Sequence, residues 1–516
     1  MPLATGKAYL IGAGPGDPGL LTLRGRQLLS EAELVLYDYL VDPQILAYAR
    51  AGAELVCLGR HGAGRLVTQD EVHQRMIAAA HAGQIVARLK GGDPAVFGRT
   101  AEETAALEAA GVPYEIVPGV TAALAASSYA GVPLTHRSAA SCVALVTGQE
   151  CQGKDPSEAL DMAGLARFPG TLAFYMGVTS APDWAAGLIA HGKSPATPVA
   201  IVRRATLPEQ SVIETTLGEL PGVVAARRLR PPAVIIVGAA ARERAGWDWF
   251  GARPLAGRTV MATRPIHQTD ALAESLAALG ARVVAQPAIE IGPPHDWAPV
   301  DAAIEQLGTF AWAVFSSANG VRAFLDRLAT TGRDVRVLGG VRLAAIGPAT
   351  AETLAEYRLR PDVQPAEYRA EALAAALAPA ARGQRVLLVR ASRGREVLAE
   401  TLTAAGADVA QVVAYESRDV TAADSDAATA LAAGRVDWVT VTSSAIARSL
   451  VKLFGDELRR AKLAAISPLT AGVLSEAGFP PAAIAKAYTV EGVVAAILAA
   501  ESGSATARPR HRDNAG

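Results

Sequence analysis

Cysteine is scarce: Cys57, Cys142 and Cys151 are the three in 516 residues. They have neither C-x-x-C spacing nor a histidine pattern beside them, which excludes a disulfide framework and a zinc ribbon and fits a reducing cytoplasm. An excess of one charge is also lacking. Lys and Arg number 49 against 50 Asp and Glu, a net charge of -1, so the chain as a whole has no attraction for nucleic acid. No basic stretch followed by a long apolar core opens the chain, and no secretory signal is expected. The uncharged run 116–135 is long enough to cross a bilayer, but Pro118, Gly119, Gly131 and Pro133 interrupt it. Buried turns and a small-residue helix are expected there, not a membrane span. What is abundant is apolar: 51% hydrophobic against 19% charged is the composition of a soluble globular protein, and the length suggests roughly three or four compact units.

Residues 11–19, IGAGPGDPG, follow an apolar run and precede a helix-like segment at 20–31, the pattern of a strand-to-helix turn. Gly12, Gly14 and Gly16 permit backbone angles and close approaches that a side chain forbids. A dinucleotide phosphate loop is one reading. Against it, the third glycine comes one residue too early for G-x-G-x-x-G, and Pro15 removes an amide from the cradle. Similar units follow. A β run at 34–37 ends in Asp38, another at 54–58 ends at Gly59-Arg60, and a helix at 69–82 leads to the β run 85–89 and the turn Lys90-Gly91-Gly92-Asp93-Pro94. A further run at 114–117 leads into Pro118-Gly119-Val120-Thr121-Ala122. This repetition predicts a mainly parallel sheet whose loops collect at one edge, where ligands bind in such folds. Asp38 is then a site carboxylate or a helix cap, Arg60 a site cation or a solvated charge, and Asp93 a ligand acceptor or a turn residue.

From 142 the pattern restarts, with β runs at 142–147, 171–176, 199–202 and 233–237 and a helix at 181–190. Met176 reads as core by default. The segment 242–254, charged and containing Gly and Trp, breaks the pattern and marks a domain boundary. A second α/β block begins near 258 and contains an internal repeat: Ser316-Ser317 and Gly347-Pro348-Ala349-Thr350 are echoed by Ser443-Ser444 and Ser467-Pro468-Leu469-Thr470. Each copy places hydroxyls after a β run, either to meet a ligand held between two similar lobes or to cap the helices that follow. Residues 501–516 are polar and lack periodicity, as in a disordered tail.

Six motifs in order identify a family resemblance. Gly12-Ala-Gly-Pro15-Gly-Asp17-Pro, Val35-Leu-Tyr-Asp38, Arg88-Leu-Lys-Gly91-Gly92-Asp93-Pro94, Pro118-Gly-Val-Thr121-Ala122, Pro133-Leu-Thr-His136-Arg137 and Phe174-Tyr-Met176-Gly resemble uroporphyrinogen-III C-methyltransferase over about 7–249. The second block resembles uroporphyrinogen-III synthase over about 255–500, through Thr263-Arg264-Pro265, Ser316-Ser317-Ala-Asn319-Gly320, Ile346-Gly-Pro-Ala-Thr350, Val412-Val-Ala-Tyr415-Glu and Tyr488-Thr-Val-Glu-Gly492.

The resemblance implies an α/β fold throughout: a tetrapyrrole methyltransferase of two α/β subdomains at 1–249 (about 1–135 and 136–249), a linker at 250–256, and a two-lobed synthase at 257–500. Lobe one would comprise about 257–289 plus 418–500, lobe two about 290–417, with a tail from 501. It implies a bifunctional enzyme that closes hydroxymethylbilane with inversion of ring D and methylates the product, uroporphyrinogen III, at carbons 2 and 7 from S-adenosylmethionine to give precorrin-2. Neither step calls for a metal or redox cofactor. The alternatives are a methyltransferase with a non-catalytic tetrapyrrole-binding module, or a related precorrin methyltransferase. The partners implied are small-molecule tetrapyrroles and a second copy through the methyltransferase half, not nucleic acid or membrane.

Carried over residue by residue, the S-adenosylmethionine contacts are Pro15, Gly91, Gly92, Asp93, Val96, Thr121, Ala122, Met176 and Ala205. Asp38 corresponds to a proton acceptor. Arg60 stands where the family has lysine, and because guanidinium holds its proton too firmly to donate it, Arg60 is expected to bind substrate carboxylates or stabilise charge, with His61 beside it. In the synthase half Tyr415 matches a tyrosine that helps hydroxide leave as water, and Ser316, Ser317, Thr350, Ser443 and Thr470 are the expected substrate-binding hydroxyls.

Overall fold

Near-continuous apolar runs such as Ala8–Leu10 and Val234–Val237 form strands buried on both faces, as sheets covered by helices require. The computed structural model describes residues 6–59, 67–151, 153–155, 158–243, 248–394 and 396–504. The chain divides between Gly257 and Arg258 into two units, each built on two five-stranded sheets.

The first sheet of unit one comprises β1 (Lys7–Gly12), β2 (Leu34–Tyr37), β3 (Glu54–Cys57), β4 (Ile85–Lys90) and β5 (Tyr114–Val117), in the order 3-2-4-1-5. All its pairings are parallel, so the loops that follow the strands share one edge. The second comprises β6 (Val143–Thr147), β7 (Thr171–Tyr175), β8 (Pro198–Arg203), β9 (Ser211–Thr216) and β10 (Ala233–Val237), in the order 6-7-10-8-9. Only β6 and β7 are parallel here; the β8–β9 hairpin, whose second strand escaped the sequence reading, makes the rest antiparallel.

The run 116–135 holds a turn that is not buried, with Pro118 exposed and Gly119 and Val120 half-buried, and then the expected small-residue helix Ala122–Ala130, closed by Gly131 at φ 64. Its alanines 123, 126 and 130 pack on Ala173, Ala200 and Ile236 of the second sheet, so small side chains let a helix from the first half lie close against the second. Among the described residues no helix is long and apolar enough to cross a membrane.

Two expectations change. Met176 is not core: β7 ends at Tyr175, and Met176 turns into the left-handed region at φ 53 with 49% of its surface exposed. Nor is 250–256 a free linker. Phe250 and Leu255 are buried, Phe250 lies against Tyr129 with ring centres 4.9 Å apart, and the Arg253 guanidinium sits 3.6 Å over the Phe250 ring. Apolar residues at 250 and 255 have a surface to cover, so the segment packs as part of unit one.

Unit two repeats one design. The first sheet contains β11 (Thr259–Ala262), β12 (Arg282–Ala285), β18 (Trp438–Val441), β19 (Lys462–Ala465) and β20 (Ala483–Ile484), ordered 12-11-18-19-20 and wholly parallel. The second contains β13 (Ile289–Gly292), β14 (Trp312–Phe315), β15 (Arg342–Ala345), β16 (Arg385–Ala391) and β17 (Asp408–Asp419), ordered 13-17-16-14-15. Its one antiparallel pair is β13 with β17, from Ile289 opposite Asp419 to Gly292 opposite Glu416, where the chain enters and leaves this lobe. The expected tail begins too early at 501: the last helix runs from Val490 to Ser504. Glu501 is held in it by the Trp438 indole at 3.0 Å and the Lys462 ammonium at 3.0 Å. Residues 505–516 lie outside the described residues.

Candidate active sites

In unit one, the turns after β1, β4 and β5 meet backbone to backbone. A Cβ on Gly12 would lie 2.6 Å from the Gly119 Cα, and one on Gly119 would lie 2.2 Å from the Gly92 carbonyl oxygen. Gly14 and Gly92, at φ 73 and 71, donate to each other's carbonyls at 3.1 and 2.7 Å. Glycine is required here by contact as well as by angle. Asp93 fastens the joint: its carboxylate accepts from the Ala95 amide at 2.7 Å and the Gly119 amide at 2.9 Å. Each of its oxygens thus accepts one bond from the protein's own backbone, leaving further acceptor sites on the carboxylate.

The other expected donor-binding positions join this core. Gly92 lies against Thr121 and Ala122, and the half-buried Val96 donates its amide to the Asp93 carbonyl at 3.1 Å. Buried Thr121 shares a 2.7 Å hydrogen bond with the Tyr175 hydroxyl, which also accepts from the Ala123 amide at 2.8 Å. Burial pushes the Tyr175 phenol up. Met176 follows directly. Pro15 leads into Gly16, where a Cβ would come within 2.7 Å of Leu207, and the Asp17 amide donates to the Thr206 hydroxyl at 3.0 Å, next to buried Ala205. Phe97, Arg99, Met176, Arg204 and Thr206 all have positive φ, five of the seven such non-glycine residues described, and all lie in these turns. Each costs roughly 1–3 kcal/mol, strain of the kind that concentrates in ligand clamps.

Asp38 stands at the end of β2 with its amide on the Leu89 carbonyl at 3.1 Å. Its carboxylate is 2.6 Å from the guanidinium of buried Arg88. Arg88 in turn donates to Glu103 at 2.9 Å, and the Lys90 ammonium pairs with the second Glu103 oxygen. Arg88, Lys90 and Glu103 are all buried, and with Asp38 they form a chain of alternating charge that sums to zero. Burial, followed by the Arg88 charge, pushes the Lys90 ammonium down. Glu103 was not singled out from the sequence, and Arg88 entered only as the first residue of the Arg88-Leu-Lys-Gly91 motif, without a role. The available signal was two cations inside a strand otherwise apolar enough to be covered on both faces. Arg60 and His61 lie outside the described residues.

In unit two, a cavity of about 720 Å³ is lined by Tyr415, Asn319, Arg322 and Trp297, with Pro265 and Ile291 among its other walls. The Tyr415 hydroxyl lies 3.0 Å from the Ser317 hydroxyl, and burial pushes its phenol above the usual value. Ser317 also caps the helix Ala318–Thr330 by accepting from the Gly320 amide at 3.0 Å. The remaining expected hydroxyls stand just after strands or in first helical turns. Ser316 donates to the Val389 carbonyl at 3.3 Å, and Ser443 caps Ser444–Phe454 through the Ile446 amide at 3.1 Å. Thr350 and Thr470 are buried in first helical turns, Thr470 at 3.2 Å from the Ser467 hydroxyl.

Comparison with known proteins agrees with this division. Residues 7–221 match the model of the tetrapyrrole (corrin/porphyrin) methylases, and residues 270–495 that of the uroporphyrinogen-III synthase HemD. The porphyrin biosynthesis protein HemD of Ruminiclostridium josui is 32% identical over 452 residues, 87% of this chain and 89% of that one. The chain belongs to the family of tetrapyrrole methylases fused to uroporphyrinogen-III synthase. The uroporphyrinogen-III C-methyltransferase of Bacillus subtilis is 37% identical over 353 residues, covering 68% of this chain and 72% of that one. The siroheme synthase 1 of Yersinia enterocolitica is 44% identical over 250 residues, 48% of this chain; the fused chain spans about half, 52%, of that relative's length.

Proposed function

We propose that this chain is a bifunctional enzyme of tetrapyrrole biosynthesis. Unit two converts hydroxymethylbilane to uroporphyrinogen III with inversion of ring D, and unit one methylates uroporphyrinogen III at carbons 2 and 7, giving precorrin-2. The observation that carries the methyltransferase reading is the backbone joint of Gly12, Gly92 and Gly119, flanked by left-handed residues from both sheets. It supports a fixed, concave cleft with backbone groups at its wall.

The residues present fit S-adenosylmethionine. Pro15, Gly91, Gly92, Val96, Thr121, Ala122, Met176 and Ala205 would hold it, largely through backbone groups, with Asp93 keeping the turn closed. When bound, it supplies a methyl group already activated on a sulfonium. What remains for the protein is alignment and exclusion of water. Asp38 takes up the proton lost from the methylated carbon, and Arg88, 2.6 Å away, orients its carboxylate. Arg60 serves as a charge clamp for substrate carboxylates, with His61 beside it.

In unit two, Tyr415 at the cavity wall acts as the acid for the departing hydroxyl, its phenol carrying its proton at neutral pH as tyrosine ordinarily does. The flexible bilane can also close without inversion, so positioning in the cavity selects the folded form that inverts. Incubating the full chain with uroporphyrinogen III and S-adenosylmethionine, then locating the new methyl groups by mass and NMR, tests the first activity. Methylation at other carbons would make unit one a different precorrin methyltransferase. Resolving isomers I and III from hydroxymethylbilane tests the second.

A homodimer through unit one and a cytoplasmic location complete the proposal. Exposed Ile116 on edge strand β5 and Val143 and Leu145 on edge strand β6 support the former. Three free cysteines support the latter. Light scattering would show one chain mass if the dimer reading fails.

A further inference from the structure

We propose that Tyr129 is a positioning residue for the methyl-donor cleft, closing a hydrogen-bonded ring that sets the spacing between the two turns bearing Pro15 and Ala205. The inference rests on the reading of that cleft given above. Tyr129 lies near the end of the helix Ala122–Ala130, and its hydroxyl donates to an Asp17 carboxylate oxygen at 2.9 Å. The Asp17 amide donates to the Thr206 hydroxyl at 3.0 Å, and the Thr206 amide donates to the Gln210 side-chain oxygen at 2.9 Å. The Gln210 side-chain nitrogen donates back to the Tyr129 carbonyl at 3.0 Å. The ring Asp17–Thr206–Gln210–Tyr129 therefore closes on itself. Pro15 stands two residues before one member and Ala205 one residue before another.

Three observations make this more than a surface contact. The other Asp17 oxygen already accepts from the Gly19 amide at 2.8 Å, so the local turn does not need Tyr129. Thr206 and its neighbour Arg204 are both left-handed, at φ 71 and 48, so the loop that Gln210 grips is held in a conformation it would not adopt alone. Trp249 and Phe250 pack on the Tyr129 aromatic ring with ring centres 5.0 and 4.9 Å away, and the Trp249 indole donates to the Ser128 carbonyl at 2.9 Å. The segment that continues toward the second unit thus clamps the tyrosine in its rotamer, fixing where its hydroxyl can point.

The test uses the full chain and S-adenosylhomocysteine as the calorimetric probe. Tyr129→Phe removes only the hydroxyl and keeps the aromatic packing; Gln210→Leu opens the ring elsewhere. Each is expected to weaken S-adenosylhomocysteine about tenfold, the scale of losing one or two hydrogen bonds of the ring. Each should raise KM for S-adenosylmethionine similarly, leaving kcat and the KM for uroporphyrinogen III near wild type. Because either change opens the same ring, the double variant should be no weaker than the weaker single one. Additive losses, or a Tyr129→Phe chain that binds as tightly as wild type, would overturn the proposal. If the wild-type chain itself shows no binding, the reading of the cleft falls, and this inference with it. If wild type binds and both variants match it, this inference alone falls.

Discussion

Glu103 has no exposed surface and sits between two cations, Arg88 and Lys90. A buried charge group of this kind adds little over apolar packing while complete, but losing one member is costly because the others stay buried without a partner. Glu103→Gln should therefore destabilise unit one by about 3–5 kcal/mol, read as a lower urea midpoint. Asp38→Asn, at the half-buried end of the same chain and with Arg88 still paired to Glu103, should lower that midpoint by much less while lowering the methylation kcat by roughly 10²–10⁴. Equal effects of the two variants on stability would contradict this division of roles.

A second residue-scale prediction concerns acid. The guanidinium of Arg24, then the Lys7 ammonium, hold the Glu115 carboxyl at about 2, below its ordinary value of 4.5. A depressed carboxyl contributes stability above its unfolded pKa and loses it as pH falls through the folded one. Because the pair is exposed, the contribution is small. Glu115→Gln should melt slightly below wild type at pH 7, and the two should converge as pH approaches 2; a gap that widens in acid would reverse the assignment.

At the scale of elements, the glycine turns make the sharpest prediction. Gly119→Ala places a methyl carbon 2.2 Å from the Gly92 carbonyl oxygen, whereas Gly222→Ala, in the helix Leu220–Ala226, meets nothing within 4 Å. The first should abolish S-adenosylhomocysteine binding in calorimetry. The second should leave it intact and raise stability by up to about 1 kcal/mol through helix propensity. Hydroxyls divide in the same way. Ser443→Ala removes a helix cap and should cost about 1 kcal/mol without changing the ratio of isomer III to isomer I. Tyr415→Phe should cut isomer III formation by a factor of about 10² or more with little change in melting. Undiminished isomer III would remove Tyr415 as the acid.

These elements show what was legible in the sequence. The strand-turn-helix units were readable because apolar runs and glycine turns alternate, and the defects of the IGAGPGDPG turn as a phosphate loop belonged to a different packing, in which Gly16 faces Leu207. The 316–317 and 443–444 hydroxyls were visible as repeats, yet spacing alone could not separate caps from ligand contacts, since both place a hydroxyl where a strand gives way to a helix. Met176 was misjudged because composition records apolarity and not the left-handed φ that turns the residue outward. The Arg88–Glu103 pair joins a strand to a helix through a contact no periodicity marks. The packing of 250–256 depends on Tyr129, distant in sequence.

At the scale of the molecule, four sheets in two units, each with its own buried core, explain how two chemistries share one chain without sharing residues. Asp38 and the glycine turns belong to one unit, Tyr415 and its cavity to the other, so a lesion in either site should leave the other activity intact. The most direct measurement supplies the full chain with hydroxymethylbilane and S-adenosylmethionine together and identifies the tetrapyrrole formed by mass and NMR. The account predicts a type III macrocycle carrying new methyl groups at carbons 2 and 7. An isomer I skeleton, an unmethylated type III product, or methyl groups at other carbons would contradict it.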